Sequence, residues 1–186
     1  MDRLMLSELQ KQRLPRLFAM YDADNNGFIE SADFDQFLKS YSQFRSWAPG
    51  SPQYDSIQSK LTSRWNSMQK FADTNGDNKI SLDEWLVYMD NILNDPEAYE
   101  AQLHGIAAFA FSVFDVDGND QLDLEEYTQY FRVHNLDENS ANEVFKRLNL
   151  NDDDYISKEK HMELIDQFFR SDDSESPGNL LFIKKI

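Results

Sequence analysis

The chain contains no cysteine. That absence excludes a disulfide framework and any chemistry that needs a thiolate. Histidine is nearly absent too. His104, His134 and His161 are the three present, and their spacing puts no pair on one helix face for a metal. No nucleophile elbow or phosphate-cradling glycine loop is found, so no enzymatic activity is expected. Bases are few, 18 against 34 acids, and the formal net charge is −16. A surface of that sign repels the phosphate backbone and acidic lipid headgroups, so neither nucleic acid nor stable membrane association is expected. Long apolar runs are also missing. The opening MDRLMLSELQKQRL is charged from Asp2 and has no apolar core of signal-peptide length. Asp2 rules out N-myristoylation, and a cytoplasmic protein is the expectation.

What is present suits a folded cation binder. Hydrophobic residues make up 40% of the 186 positions and aromatics 13%, too many for a disordered acidic chain. That length fits one compact domain or two closely packed lobes.

A twelve-residue pattern of acids and amides recurs four times. Its form, D-x-[DN]-x-[DN]-G-x5-E, is the calcium loop of an EF-hand. Calcium takes six to eight oxygens, and this spacing supplies them. Side chains at the first, third and fifth positions and the seventh carbonyl do so, and a two-oxygen carboxylate at the twelfth closes the cage. DADNNGFIESAD offers Asp22, Asp24, Asn26, the Phe28 carbonyl and Asp33, with Glu30 ninth. DTNGDNKISLDE offers Asp73, Asn75, Asp77, the Lys79 carbonyl and Glu84. DVDGNDQLDLEE offers Asp115, Asp117, Asn119, the Gln121 carbonyl and Glu126. Asn78 and Asp120 replace the turn glycine, and both residue types tolerate positive φ. The fourth copy, NLNDDDYISKEK, has a neutral first ligand, Asn149, then Asn151 and Asp153, and it ends on Lys160. A protonated lysine has no lone pair for a metal, so this loop is expected to be inactive. Lys160 near Asp153 is a candidate stand-in for the lost cation.

Three calcium sites are therefore expected. Asp33 is one methylene shorter than glutamate, and magnesium accepts a single carboxylate oxygen in a smaller shell. The first site is thus expected to tolerate magnesium, the alternative being calcium with Glu30 contributing directly.

Helical periodicity flanks the loops. Tyr54, Ile57, Leu61, Trp65, Met68 and Phe71 precede the second, and Trp85, Leu86, Tyr88, Met89 and Leu93 follow it. Residues 106–114 are apolar nearly all round and predict burial on several sides. Pro15 predicts that the first helix is kinked or starts there. A lone hand cannot bury its apolar face, so loops one and two should pair, and three with four through Leu122 and Ile156. The fold expected is all-α, with two EF-hand pairs in one compact body joined by short loop-to-loop β-bridges. Its divisions are residues 1–93, residues 94–170, and a tail, residues 171–186, that docks on the body.

The motifs resemble the sarcoplasmic calcium-binding protein family, and within it calexcitin-like proteins. The resemblance is carried by four hands with an inactive fourth, by WNSMQKFADTNGDNKISLDEW, and by the ending FFRSDDSESPGNLLF. It implies a cytosolic calcium buffer or sensor. Methionines are scattered rather than clustered into a target groove, and the tail NLLFIKKI would be a hazard if left free. Both favour a monomeric buffer of calcium and magnesium. Two alternatives stay open. One is a sensor that exposes a surface to an unidentified protein target. The other is a carrier of an apolar ligand such as a luciferin, its cavity lined by Trp47, Trp65, Trp85, His104, His134 and His161. The competing account of those six is that the tryptophans pack the core and the histidines sit on solvated helix faces.

Overall fold

The computed structural model describes residues 5–148 and 154–183. Each loop of the sequence pattern joins two helices. Helix α1 (Glu8–Tyr21) leads to α2 (Ser31–Phe44), and α3 (Pro52–Ala72) leads to α4 (Leu82–Leu93). A short α5 (Pro96–Tyr99) passes through a π-helical turn (Glu100–His104) into α6 (Gly105–Phe114). Strand β1 (Gln121–Asp123) then opens α7 (Leu124–Val133). Helix α8 (Glu138–Leu148), strand β2 (Tyr155–Ser157) and α9 (Lys158–Arg170) complete the second half. A 3-10 turn (Pro177–Leu180) carries the tail back.

The loops pair at their eighth positions. Ile29 and Ile80 form an isolated antiparallel bridge, with both N–H···O bonds at 2.9 Å. In the second half β1 and β2 are antiparallel and register Leu122 against Ile156. All four side chains are fully buried, so each loop pair adds one apolar plug to the core beneath it.

Pro15 lies inside α1 rather than at its start. A capping box at Ser7 and Gln10 begins the helix seven residues earlier, with Gln10 N donating to Ser7 Oγ at 3.2 Å and Ser7 N to the Gln10 side chain at 2.8 Å. Reciprocal satisfaction of orphan donors outweighs the single backbone bond a proline removes. Ile57, Leu61, Trp65 and Met68 of α3 are buried as their spacing predicts, whereas Phe71 is exposed beneath the Lys70 ammonium. It falls on the outer face of the last turn. Tyr54, Leu86 and Leu93 are only partly buried. On α6, Ala107, Phe111, Val113 and Phe114 are buried. The π turn before it, Glu100–His104, has no signature in the hydrophobic periodicity.

Two of the three histidines that one account places on solvated helix faces are in the interior. His134 and His161 are each 3% exposed. The His134 Nδ1 lies 2.9 Å from the Tyr130 carbonyl, which can only accept, so Nδ1 carries the proton and Nε2 accepts from the Tyr41 hydroxyl at 2.7 Å. That bond joins the two halves. Arg45 also joins them, donating to the Val113 and Asp115 carbonyls at 2.9 and 3.1 Å. Arg13 of α1 reaches the carbonyls of Gln167 and Phe168 at the far end of α9. Cations at helix C-termini satisfy orphan carbonyls and oppose the dipole.

The tail packs under α9. Leu181 and Phe182 are buried, and the Phe182 ring meets Phe168 edge-on at 4.9 Å. Gln167 Oε1 accepts from Ser176 Oγ and Gly178 N, both at 3.0 Å. A Cβ at Gly178 would lie 2.6 Å from the Leu164 carbonyl oxygen, so only glycine fits this approach. Lys184 and Lys185 lie outside the described residues.

Candidate metal centres

Each of the first three loops is built from the end of one helix and the start of the next. The first-position aspartate is the C-cap of the entering helix in all three. Asp22, Asp73 and Asp115 share one conformation, with φ/ψ of −72/80, −70/89 and −67/89. Each carboxylate then gathers the N–H groups of the turn. Asp22 accepts from Asn26 N and Gly27 N, both at 2.9 Å. Asp73 accepts from Gly76 N at 2.7 Å and Asn78 N at 3.0 Å, and Asp115 accepts from Gly118 N at 2.8 Å and Asp120 N at 3.1 Å. The fifth-position side-chain oxygens follow suit. Asn26, Asp77 and Asn119 accept from Phe28 N, Lys79 N and Gln121 N within 2.8–2.9 Å.

The turn needs positive φ twice per loop. Gly27, Asn78 and Asp120 supply it at the sixth position, with φ of 90°, 63° and 58°. Asn25, Gly76 and Gly118 supply it at the fourth, with φ of 59°, 75° and 73°. The fourth-position requirement escaped the sequence reading, although two glycines and an asparagine in register were its signal.

The twelfth residue does two jobs. It stands at the third position of the exiting helix, and its carboxylate ties that helix back to the loop. Glu126 accepts from Val116 N at 2.7 Å and Asp123 N at 3.1 Å. Glu84 accepts from Thr74 N and Ser81 N, both at 3.0 Å. Asp33 makes the same pair of bonds, to Ala23 N at 2.9 Å and Glu30 N at 2.7 Å. The shorter side chain manages this by sitting deeper, at 1% exposure.

Carboxylates crowd in two of the loops. The ligand atoms of Asp22, Asp24 and Asp33 lie within 4.8 Å of one another, as do those of Asp115, Asp117 and Glu126. Burial pushes the Asp33 carboxyl up, against the pull of three backbone N–H groups and with the Asp24 charge adding to it. Burial likewise pushes Glu126 up, with Asp123 and Asp117 adding to it. Like charges held this close call for a cation. Among the described residues the second loop forms no such cluster. Its third residue is Asn75, and Glu84 is drawn toward the hydroxyls of Thr74 and Ser81 at 3.0 and 2.8 Å. Burial alone would raise Glu84, but bonds from Ser81 and Thr74 hold it below the ordinary range. Oxygen-only donor sets, crowded and already oriented by backbone amides, fit a hard divalent ion.

The fourth loop keeps half of this frame. Ser157 caps α9 by accepting from Lys160 N at 3.2 Å, but no carboxylate returns the bond. Lys160 Nζ pairs with Glu163 at 3.0 Å. Asp153, the neighbour expected for Lys160, lies outside the described residues, as do the loop positions Asn149 and Asn151. Lys158 Nζ crosses to Asp120 at 3.0 Å, tying the fourth loop to the third.

Of the residues suggested for a ligand cavity, His134 and His161 line a central cavity between the halves. Trp85 and Trp65 pack in the core, Trp47 lines a surface groove, and His104 lies between Glu100 and Asp166.

Comparison with known proteins agrees with this construction. Residues 11–90 match the family model of the EF-hand domain pair. Sarcoplasmic calcium-binding proteins I, III and IV of Branchiostoma lanceolatum are 27% identical over 135 residues, covering 70% of this chain and 73% of theirs. Calexcitin-1 of Caenorhabditis elegans is 23% identical, over 90% of this chain and 82% of its own. The solved sarcoplasmic calcium-binding protein of amphioxus superposes with a TM-score of 0.78 at 23% identity, covering 97% of this chain and all of that one. No helix among the described residues is long and apolar enough to cross a membrane.

Proposed function

We propose that this chain, a calcium-binding EF-hand protein related to the sarcoplasmic calcium-binding proteins, is a buffer with three working loops and an inert fourth. In this reading Asp22, Asp24, Asn26, the Phe28 carbonyl and Asp33 hold the first ion. Asp73, Asn75, Asp77, the Lys79 carbonyl and Glu84 hold the second. Asp115, Asp117, Asn119, the Gln121 carbonyl and Glu126 hold the third. The bound ion would neutralise the crowded carboxylates, and the chain supplies their orientation through the backbone amides described above. The first loop takes magnesium as well as calcium, because Asp33 is short and deeply set.

The observation that carries the buffer reading is the tail. Leu181 and Phe182 are buried against α9, so the C-terminal pair already covers apolar surface that a sensor would present to a target. The fourth loop stays because Ile156 and α9 complete the core, a need that outlasts the metal.

Two measurements test this. Calcium titration by calorimetry should give three sites, with one displaced by millimolar magnesium. Binding of Nile red, an uncharged dye, should stay level or fall when calcium is added in magnesium. A rise in dye binding with calcium would replace buffering with sensing, and a fourth calcium site would overturn the reading of Lys160.

A further inference from the structure

Glu30 holds the ninth position of the first loop and is the one carboxylate of that loop outside the ligand set given above. Both of its oxygens are engaged. Oε2 accepts from Asn26 Nδ2 at 2.7 Å, and Oε1 lies 3.0 Å from Lys79 Nζ. Lys79 belongs to the second loop, as the proposed donor of its seventh carbonyl. The bridge between the loops places its side chain. Ile29 and Ile80 exchange N–H···O bonds at 2.9 Å in antiparallel register. Residue 79 therefore falls directly opposite residue 30, an arrangement that favours opposite charges. The Lys79 ammonium also stands 5.2 Å from the Phe28 ring centre.

The ninth residues of the other two loops are spent inside their own loops. Ser81 Oγ accepts from Glu84 N at 3.4 Å and donates to Glu84 Oε2 at 2.8 Å. Asp123 accepts from Glu126 N at 2.8 Å. The second half has a cross-loop pair of its own, Lys158 with Asp120, but Asp120 is a turn residue and that pair competes for no ligand place. Coordination number decides what the Lys79 pair does. One oxygen each from Asp22, Asp24, Asn26, the Phe28 carbonyl and Asp33, with one water, makes the six that magnesium takes. Calcium accepts up to about eight, and Glu30 is the carboxylate left in the loop to supply more. While Lys79 holds Glu30, the first loop offers the smaller set.

We infer that Lys79 sets the ion preference of the first loop by competing with the ion for Glu30. Its ammonium keeps Glu30 out of the ligand set and biases the loop toward magnesium. Turning Glu30 inward for calcium breaks the pair and releases Lys79. The inference rests on the reading that the first loop holds an ion, and it adds the residue, supplied by the neighbouring loop, that decides which ion.

Two experiments test it. In the first, the full chain is acetylated with limiting acetic anhydride in its ion-free, magnesium-loaded and calcium-loaded forms. Mass spectrometry then compares Lys79 with Lys39, which is exposed on α2. Relative to Lys39, Lys79 should react about threefold faster in calcium than in the other two forms, the factor an exposed ion pair supplies. In the second, Glu84→Gln with Glu126→Gln leaves the first loop as the active one, and calorimetry gives its calcium and magnesium affinities. Adding Lys79→Met should tighten calcium about threefold relative to magnesium, and adding Glu30→Gln as well should erase that gain. Unchanged Lys79 reactivity in calcium overturns the inference. So does an ion preference that Lys79→Met leaves where it was, or a gain that survives Glu30→Gln. A background chain that binds neither ion overturns the assignment of the first loop itself, and the inference falls with it. The acetylation result, read on the unmodified chain, decides the matter if the background variant fails to fold.

Discussion

Lowering the pH from 7.5 to 5 should destabilise this protein through two buried rings. Burial pushes both His134 and His161 down to about 4 from the ordinary 6.5. Between those values the unfolded chain binds a proton at each ring and the folded chain does not. Stability is therefore full above about pH 6.5, falls as the pH drops, and stops falling for this reason below about 4. The whole gap is worth about 3 kcal/mol per ring, and about 2 kcal/mol of it is lost by pH 5. Two rings thus remove about 4 kcal/mol, a large share of the ~5–15 kcal/mol typical of a domain. The assay is urea unfolding at pH 7.5 and 5 in saturating calcium, comparing the parent with His134→Gln and with His161→Phe. Each variant should lose less stability on acidification than the parent, by about 2 kcal/mol. The comparison cancels any change in calcium occupancy common to both proteins. Variants that lose as much as the parent would refute the argument, because the acid sensitivity would then lie in the carboxylates.

Three other outcomes are expected. Glu126→Gln should remove one ion from the calorimetric stoichiometry and lower thermal stability in calcium, while leaving binding at the first loop intact; an unchanged stoichiometry would contradict the role given to this residue. Lys160→Glu should complete the capping box with Ser157 and place an acid in the first turn of α9, stabilising the calcium-free form by about 0.5–1 kcal/mol. A drop in its urea midpoint would show that the exposed pair with Glu163 outweighs the cap. Gly178→Ala should cost about 1–3 kcal/mol through overpacking against α9 and should raise Nile red binding as Phe182 leaves its place; a parent-like melting curve would show that the tail is not held there.

Much of this protein is legible in its sequence because a calcium loop is a local object. Ligand spacing, turn residues and the capping glutamate fall within twelve consecutive positions, and the backbone amides that orient them come from the same stretch. The pairing of Leu122 with Ile156 could be read for a related reason, since both hold the eighth position of a repeated frame. Features that depend on what packs from elsewhere were not legible. His134 is polar on any scale, yet Tyr41 from the other half makes its burial tolerable. Phe71 is apolar, yet among the described residues no core element covers the outer face of the last turn of α3. Pro15 is a helix breaker by propensity, and a cap eight residues away overrides it. Arg64 has helical spacing and charge like any surface arginine. Only the approach of Tyr88 on α4 and Gln102 in the π turn buries it. Local chemistry determined the metal loops, and the tertiary structure alone decided which polar groups lost their water.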